Sequence, residues 1–233
     1  MRSRVVIVGA SRGLGHALAL RYLDLGWEVW AGCRSLAQAD QLRSAGAVVH
    51  AVDVTNEQTI AAFAAAVTAA GPIDVLINSA AIDARSLGAD PDARGPFDLS
   101  IEHFLTEFEV NVGGPMLTTR ALLDPLLRSQ APKIVNLTSR TASMTVGAEL
   151  CWDIGYNASK AALNALTVRT AHLLAGRAIV VAVHPGWVRT DMGGPDAALE
   201  SDTAAQQLVT TISRLTAEQN GCFLRADGTT HPW

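Results

Sequence analysis

The sequence predicts an α/β fold in which a parallel sheet is covered by helices on both faces. Three observations lead there. Short, nearly all-apolar runs recur along the chain, as strands buried on both faces require. Helical patterns separate them. The small and chemically active residues fall at the C-terminal ends of those runs, where open α/β sheets bind ligands. With 233 residues, 49% apolar and 17% charged, one domain spanning 1–233 can enclose a full core. The net charge of −4 offers no basic surface for nucleic acid or an anionic membrane. No stretch reaches the length of a membrane span, and Val5 to Val8 is too short for a signal peptide. The widely spaced Cys33, Cys151 and Cys222 form neither a disulfide framework nor a zinc site, and they fit a reducing cytoplasm.

In chain order, Arg4 to Gly9 reads as a buried strand ending at glycine. Gly9-Ala10-Ser11-Arg12-Gly13-Leu14-Gly15 follows, then a helical pattern through Leu25. A strand, a glycine loop and a helix together aim free backbone N–H groups and the positive helix end at a phosphate. The same glycines would also serve an ordinary tight turn. Glu28 to Gly32 is a second strand, leading to Arg34. In dinucleotide folds an acidic residue near this position holds a ribose hydroxyl, whereas arginine accommodates a 2′-phosphate. No acid occupies positions 31 to 35, so Arg34, with Arg12 in the glycine loop, points to NADP(H) over NAD(H). The alternative is a pair of solvated surface arginines.

Leu36 to Ala45 reads as helix, Val48 to Val52 as a strand ending in Asp53-Val54, and Glu57 to Ala70 as helix with Thr55 as N-cap. Val75 to Ile77 is the fourth strand, followed by Asn78-Ser79-Ala80-Ala81. Glycines and prolines make Ile82 to Leu99 irregular. Ser100 to Leu127 is a long helical pattern containing Asn111, which Gly113-Gly114-Pro115 should distort. Ile134 to Leu137 is the fifth strand, with Thr138-Ser139 at its end. Ile179 to Val183 is the sixth, closing with His184-Pro185-Gly186. A helix from about Thr203 to Leu215 and a strand at Cys222 to Leu224 complete seven strands. The order describes a Rossmann-type, doubly wound, mainly seven-stranded parallel sheet.

Tyr156-Asn157-Ala158-Ser159-Lys160 opens a helical run to about Ala175. Residues four apart share a helix face, so the phenol and the ammonium sit side by side. A nearby cation lowers a tyrosine pKa, which makes Tyr156 a candidate acid/base. The chain has only two tyrosines and two lysines, so a chance pairing at this spacing is rare. An ordinary solvated helix pair has the same spacing, and the rest of the chain decides between the two.

Together these residues resemble the short-chain dehydrogenase/reductase family over essentially the whole chain. Gly9, Gly13 and Gly15 match its cofactor loop, and Asp53 matches the acid that contacts the adenine. Asn78 opens its Asn-Asn-Ala-Gly segment, here Asn78-Ser79-Ala80-Ala81. Asn111, Ser139, Tyr156 and Lys160 fall in the order of its catalytic tetrad, and Pro185, Gly186 and Thr190 match the segment bracketing the nicotinamide. His184 to Met192 and the ending Asp227-Gly228 … Pro232-Trp233 are similar to the carbonyl-reductase and C-factor-like branch. Ser139 lies 17 residues before Tyr156, longer than is common in the family, which leaves Arg140 to Gly155 to shape the substrate pocket.

The resemblance implies an NADP(H)-dependent reductase of a ketone or aldehyde, or a dehydrogenase of the matching secondary alcohol. Tyr156 would pass the proton, Ser139 would bond the same oxygen, Lys160 would tune Tyr156, and Asn111 would hold a relay water. Cofactor contacts would come from Gly9, Ser11, Arg12, Gly13, Leu14, Gly15, Arg34, Asp53, Val54, Asn78, Ala80, Tyr156, Lys160, Pro185, Gly186, Val188 and Thr190. The halves would be about 1–110 for cofactor and 111–233 for catalysis and substrate. A homodimer or homotetramer would form on the two long helices after strands four and five. Non-redox chemistry on the same scaffold (dehydratase, isomerase or cyclase) and an NADP(H)-sensing binding protein are the alternatives. His16, His50, His103, His172 and His184 show no ligand spacing, so no metal is expected. Met144, Trp152, Trp187 and Met192 lie in segments flanking the pocket.

Overall fold

A computed structural model describes residues 2–147, 149 and 153–233. The strands are β1 (Arg4–Val8), β2 (Glu28–Cys33), β3 (Val48–Ala51), β4 (Val75–Asn78), β5 (Lys133–Leu137), β6 (Ile179–His184) and β7 (Phe223–Arg225). They form one sheet in the order β3-β2-β1-β4-β5-β6-β7, and every neighbouring pair is parallel. The helices are α1 (Gly13–Asp24), α2 (Asp40–Ser44), α3 (Glu57–Ala70), α4 (Ile101–Phe108), α5 (Gly114–Ala121), α6 (Leu123–Leu127), α7 (Ile154–Leu173) and α8 (Ser201–Arg214).

Strand side chains alternate between the two faces, and each face has its own core. Val5 and Ile7 of β1 join Leu18 and Tyr22 of α1 and Leu208 and Ile212 of α8. Val6 and Val8 join Ile60, Phe63 and Val67 of α3, with Leu122 and Leu126. The strand order reverses between β1 and β4, which opens a crevice beyond the carboxyl ends of these strands.

Several boundaries differ from the sequence expectations. The region read as one helix at 36–45 is a 3₁₀ turn, Leu36–Gln38, followed by the short α2. Asn56, not Thr55, caps α3: its Oδ1 accepts from the N–H groups of Gln58 and Thr59. Thr55 is already committed, donating its N–H (3.0 Å) and hydroxyl (2.7 Å) to the Asp53 carboxylate.

The long helix expected at 100–127 is divided into α4, α5 and α6, with a π-turn at Glu109–Gly113. The expected distortion reaches back from Gly113-Gly114-Pro115 to include Asn111. A π-turn accommodates one extra residue per turn and recurs at functional sites. The irregular 82–99 segment contains a 3₁₀ turn, Ala84–Leu87, capped by Asp83. Strand and helix ends elsewhere differ by one or two residues, as ends commonly do. Among the described residues, no helix is long and apolar enough to cross a membrane.

Candidate active site

The glycine loop is built by close backbone packing. Gly9 has φ +91°, and a Cβ there would stand 2.4 Å from the Ala80 nitrogen. A Cβ on Gly15 would meet the Gly9 carbonyl oxygen at 2.1 Å. Hydrogen bonds from Gly9 and Ala10 to the Gly32 carbonyl, and from Ser79 and Ala80 to the Val8 carbonyl, hold the loop between β2 and β4. Arg12 is the N-cap of α1 but provides no side-chain cap, so its side chain leaves the first turn's N–H groups open. The loop forms one wall of a cavity of about 870 Å³. A bare helix N-terminus, a backbone cradle that a Cβ would fill and two flanking arginines suit a dinucleotide phosphate.

Most of the expected site residues meet on this cavity. Gly9, Ser11, Arg12, Gly13, Leu14, Gly15, Arg34, Asp53, Val54 and Ala80 line it from the β1–β4 side. Ser139, Tyr156, Lys160, Pro185, Gly186, Val188 and Thr190 line it from the β5–β6 side. Hydrogen bonds from Thr55 hold the Asp53 carboxyl below its ordinary pKa, with Arg34 adding to the effect.

Asn78 and Asn111 do not line the cavity. Asn78 is buried behind it, donating to Asn136 Oδ1 (2.8 Å) and Thr119 Oγ1 and accepting from Thr118. Asn136 in turn donates to Thr167 of α7 at 2.9 Å. Asn111 is fully buried. Its amide donates to the Ile82 carbonyl and to Ser159 Oγ, and its oxygen accepts from the Ile82 N–H, all at 2.9 Å. Asn78 thus ties β4 to α5 and β5, and Asn111 ties its π-turn to the loop after β4 and to α7.

Tyr156 and Lys160 lie one turn apart on α7, with the Lys160 ammonium nitrogen 5.7 Å from the centre of the Tyr156 ring. The phenol and the Ser139 hydroxyl share a hydrogen bond. Ser139 caps the 3₁₀ turn Arg140–Ala142, accepting from Thr141. Lys160 donates to the Leu137 carbonyl at 2.9 Å. The expectation that Lys160 lowers the Tyr156 pKa is not met in this arrangement. Burial pushes the Tyr156 phenol above its ordinary value, and the carboxyl groups of Asp83, Asp153 and Glu107 add to that shift. The Ser139 hydrogen bond opposes it. Burial also brings Lys160 down to about 7. Desolvation disfavours both charged forms here and outweighs their mutual attraction.

Asp83, Glu107 and Asp153, all fully buried, meet beside the start of α7. Asp153 caps that helix, accepting from the Tyr156 N–H at 3.0 Å, and its other oxygen accepts from the Ala84 N–H at 3.0 Å. Two carboxylates cannot donate to each other, which would leave both Glu107 oxygens without a donor. A proton on Glu107 turns its contact with Asp153 into a hydrogen bond. Burial first, then Asp153 and Asp83, raise the Glu107 pKa to about 8.

This shift makes stability depend on pH. From about pH 4.5 to 8 the native state keeps a proton that the unfolded chain releases, so stability falls as pH rises through that window. Glu107→Gln has no such proton to lose. Relative to wild type, the variant should gain about 2–4 kcal/mol between pH 5 and pH 9, read from denaturant midpoints. Parallel pH profiles would mean that Glu107 is ionised in the native protein.

Other cavity residues carry no sequence signal of their own. Arg85 and Arg94 come from the irregular segment and Arg140 follows Ser139; Thr106, Glu109 and Val110 also reach the wall. Trp187 and Met192 line the cavity whereas Met144 does not, and Trp152 lies outside the described residues. His231, a sixth histidine, packs its ring 5.5 Å from that of His184. Among the described residues, no three His, Cys, Asp or Glu side chains are grouped to hold a metal ion.

Comparison with known proteins accords with this geometry. The short chain dehydrogenase family profile matches residues 3–200. C-signal of Myxococcus xanthus is 34% identical over 166 residues, covering 70% of this chain and 94% of that protein. Carbonyl reductase Sniffer of D. melanogaster superposes with a TM-score of 0.90 at 29% identity, covering 100% of both chains. NADPH-bound carbonyl reductase from chicken fatty liver gives 0.89 at 25% identity, again over 100% of both chains. The chain therefore belongs to the short chain dehydrogenase family, close to its carbonyl-reductase-like branch.

Proposed function

We propose that this protein is an NADPH-dependent oxidoreductase that reduces a ketone or aldehyde, or oxidises the matching secondary alcohol. The observation carrying the reading is the hydrogen-bonded Ser139–Tyr156 pair, which lines the same cavity as the glycine-rich loop. A bound NADPH would supply the hydride. First-turn N–H groups of α1, with Gly9, Ser11, Gly13, Leu14 and Gly15, would hold its pyrophosphate. Arg34, and Arg12 after exchanging its Asp191 partner, would grip the 2′-phosphate. Asp53 and Val54 would contact the adenine end, and Ala80, Pro185, Gly186, Val188 and Thr190 the nicotinamide end. Asn78 would set the floor of the site from behind.

Tyr156 would donate its proton to the developing alkoxide, and Ser139 would hydrogen-bond the same oxygen. A phenol whose pKa is raised stays protonated at neutral pH, which suits proton donation and favours reduction. Lys160, near 7 in this cavity, would restore the phenol's proton. Since the Asn111 side chain is committed to Ile82 and Ser159, we assign the relay water to the main-chain carbonyls of its π-turn. The cofactor half (about 1–110) and the catalytic half (about 111–233) would meet at the β1–β4 crevice. Exposed Ile101, Leu105, Met116, Val168 and Leu173 on α4, α5 and α7 support a homodimer or homotetramer. The unpaired Cys33 and Cys222 suit a reducing cytoplasm.

The cofactor assignment is tested at Arg34. Arg34→Asp should raise the NADPH dissociation constant by about 10- to 100-fold, as loss of a charge-assisted pair implies, while NADH changes by less than about threefold. Equal losses for the two dinucleotides would make Arg34 a surface residue.

A further inference from the structure

We propose that the carbonyl substrate of this cavity carries a carboxylate, received by the guanidinium groups of Arg140 and Arg94. The inference rests on the reductase reading above and specifies its substrate class.

The chain as a whole is acidic, at −4, yet its cavity wall is cationic. Five arginines and Lys160 face three carboxylates, those of Asp53, Glu109 and Asp191. Arg12 and Arg34 belong to the glycine-loop end, and Lys160 lies behind Tyr156. Arg85, Arg94 and Arg140 remain, and none of them is among the expected cofactor contacts. Arg85 is already engaged, bonding the carbonyls of Asp191 and Met192 and lying 3.6 Å from Asp83.

The other two arginines flank the chemistry. Arg140 directly follows Ser139. The Arg94 carbonyl accepts from the N–H of Ile154 at 3.0 Å, which ties its backbone two residues ahead of Tyr156. Among the described residues, the Arg94 guanidinium hydrogen-bonds only the Pro91 carbonyl. No acidic side chain among the described residues lies within ion-pair distance of Arg94 or Arg140.

At His184 the field has the same sign, although the buried Asp83 and Asp153 oppose it at Tyr156. His184, also on the cavity wall, is brought down to about 4, first by burial and then by His231, Arg140 and Arg225. Asp227 opposes. A neutral carbonyl compound would leave this excess positive charge unanswered, whereas a carboxylate matches the planar guanidinium fork.

The test compares matched probes differing only in charge: 4-acetylbenzoate with its methyl ester, and 4-oxopentanoate with its methyl ester. The readout is the acid-to-ester ratio of kcat/KM with NADPH, in wild type, Arg140→Gln, Arg140→Lys and Arg94→Gln. The inference predicts a wild-type ratio of about ten or more, decreasing with added salt. In Arg140→Gln the ratio should approach one, through KM rather than kcat, and Arg140→Lys should recover part of it. Arg94→Gln should lower it as well. Esters used as well as acids by wild type, or ratios unmoved in both glutamine variants, would overturn the inference and leave the reductase reading intact. If no carbonyl compound is turned over although NADPH binds, the reductase reading fails. Calorimetric binding of acid and ester to the NADP⁺-loaded protein then decides the anion preference: tighter acid supports it, and equal affinities refute it.

Discussion

Replacing Tyr156 by phenylalanine is expected to lower kcat/KM for carbonyl reduction by about 10²- to 10⁴-fold, the usual contribution of a positioned general acid. NADPH should still bind. The substitution removes one oxygen from a buried ring whose N–H remains bonded to Asp153, so α7 keeps its cap. Ser139 loses its phenol partner but retains Thr141. NADPH oxidation and NADPH binding, measured on the same preparation, check the two halves of the expectation. Turnover within about tenfold of wild type would remove Tyr156 from the proton path.

Gly9→Ala should be strongly damaging to the cofactor loop. Its Cβ would meet the Ala80 nitrogen at 2.4 Å, the Ala80 Cα at 2.6 Å and the Ser79 carbonyl carbon at 2.9 Å. All three are backbone atoms, so no rotamer can relieve the overlap. The φ of +91° adds left-handed strain. Overpacking and strain together cost about 2–5 kcal/mol, which corresponds to a Tm lower by roughly 4–20 °C in a domain of this size. NADPH binding should fall with it, since the β1 and β4 ends would move apart at the cradle. A variant with wild-type Tm and NADPH affinity would mean that this backbone is looser than its packing indicates.

Features that depend on local chemistry were legible in the sequence. Apolar runs located all seven strands, and the glycine spacing located the cradle. The limits of α3 follow from its composition, although not its cap, because Thr55 is drawn away by Asp53. Features that depend on distant partners were not legible. The Tyr156–Lys160 spacing predicts their proximity, but the direction of both pKa shifts follows from burial, which spacing does not reveal. Asn78 and Asn111 match a motif, yet their amides face Asn136, Thr118, Ile82 and Ser159 rather than the cavity. The Asp83–Glu107–Asp153 cluster joins three segments with no common motif. Arg94 reaches the site through one backbone hydrogen bond to Ile154 from a stretch that reads only as irregular.

Carbonyl reduction by NADPH is measured by following NADPH absorbance and product together across a panel of quinones, simple ketones, oxo acids and polycyclic ketones. One alcohol should form per NADPH consumed, with faster turnover with NADPH than with NADH. A compound transformed with no net loss of NADPH would contradict it and assign the scaffold to non-redox chemistry.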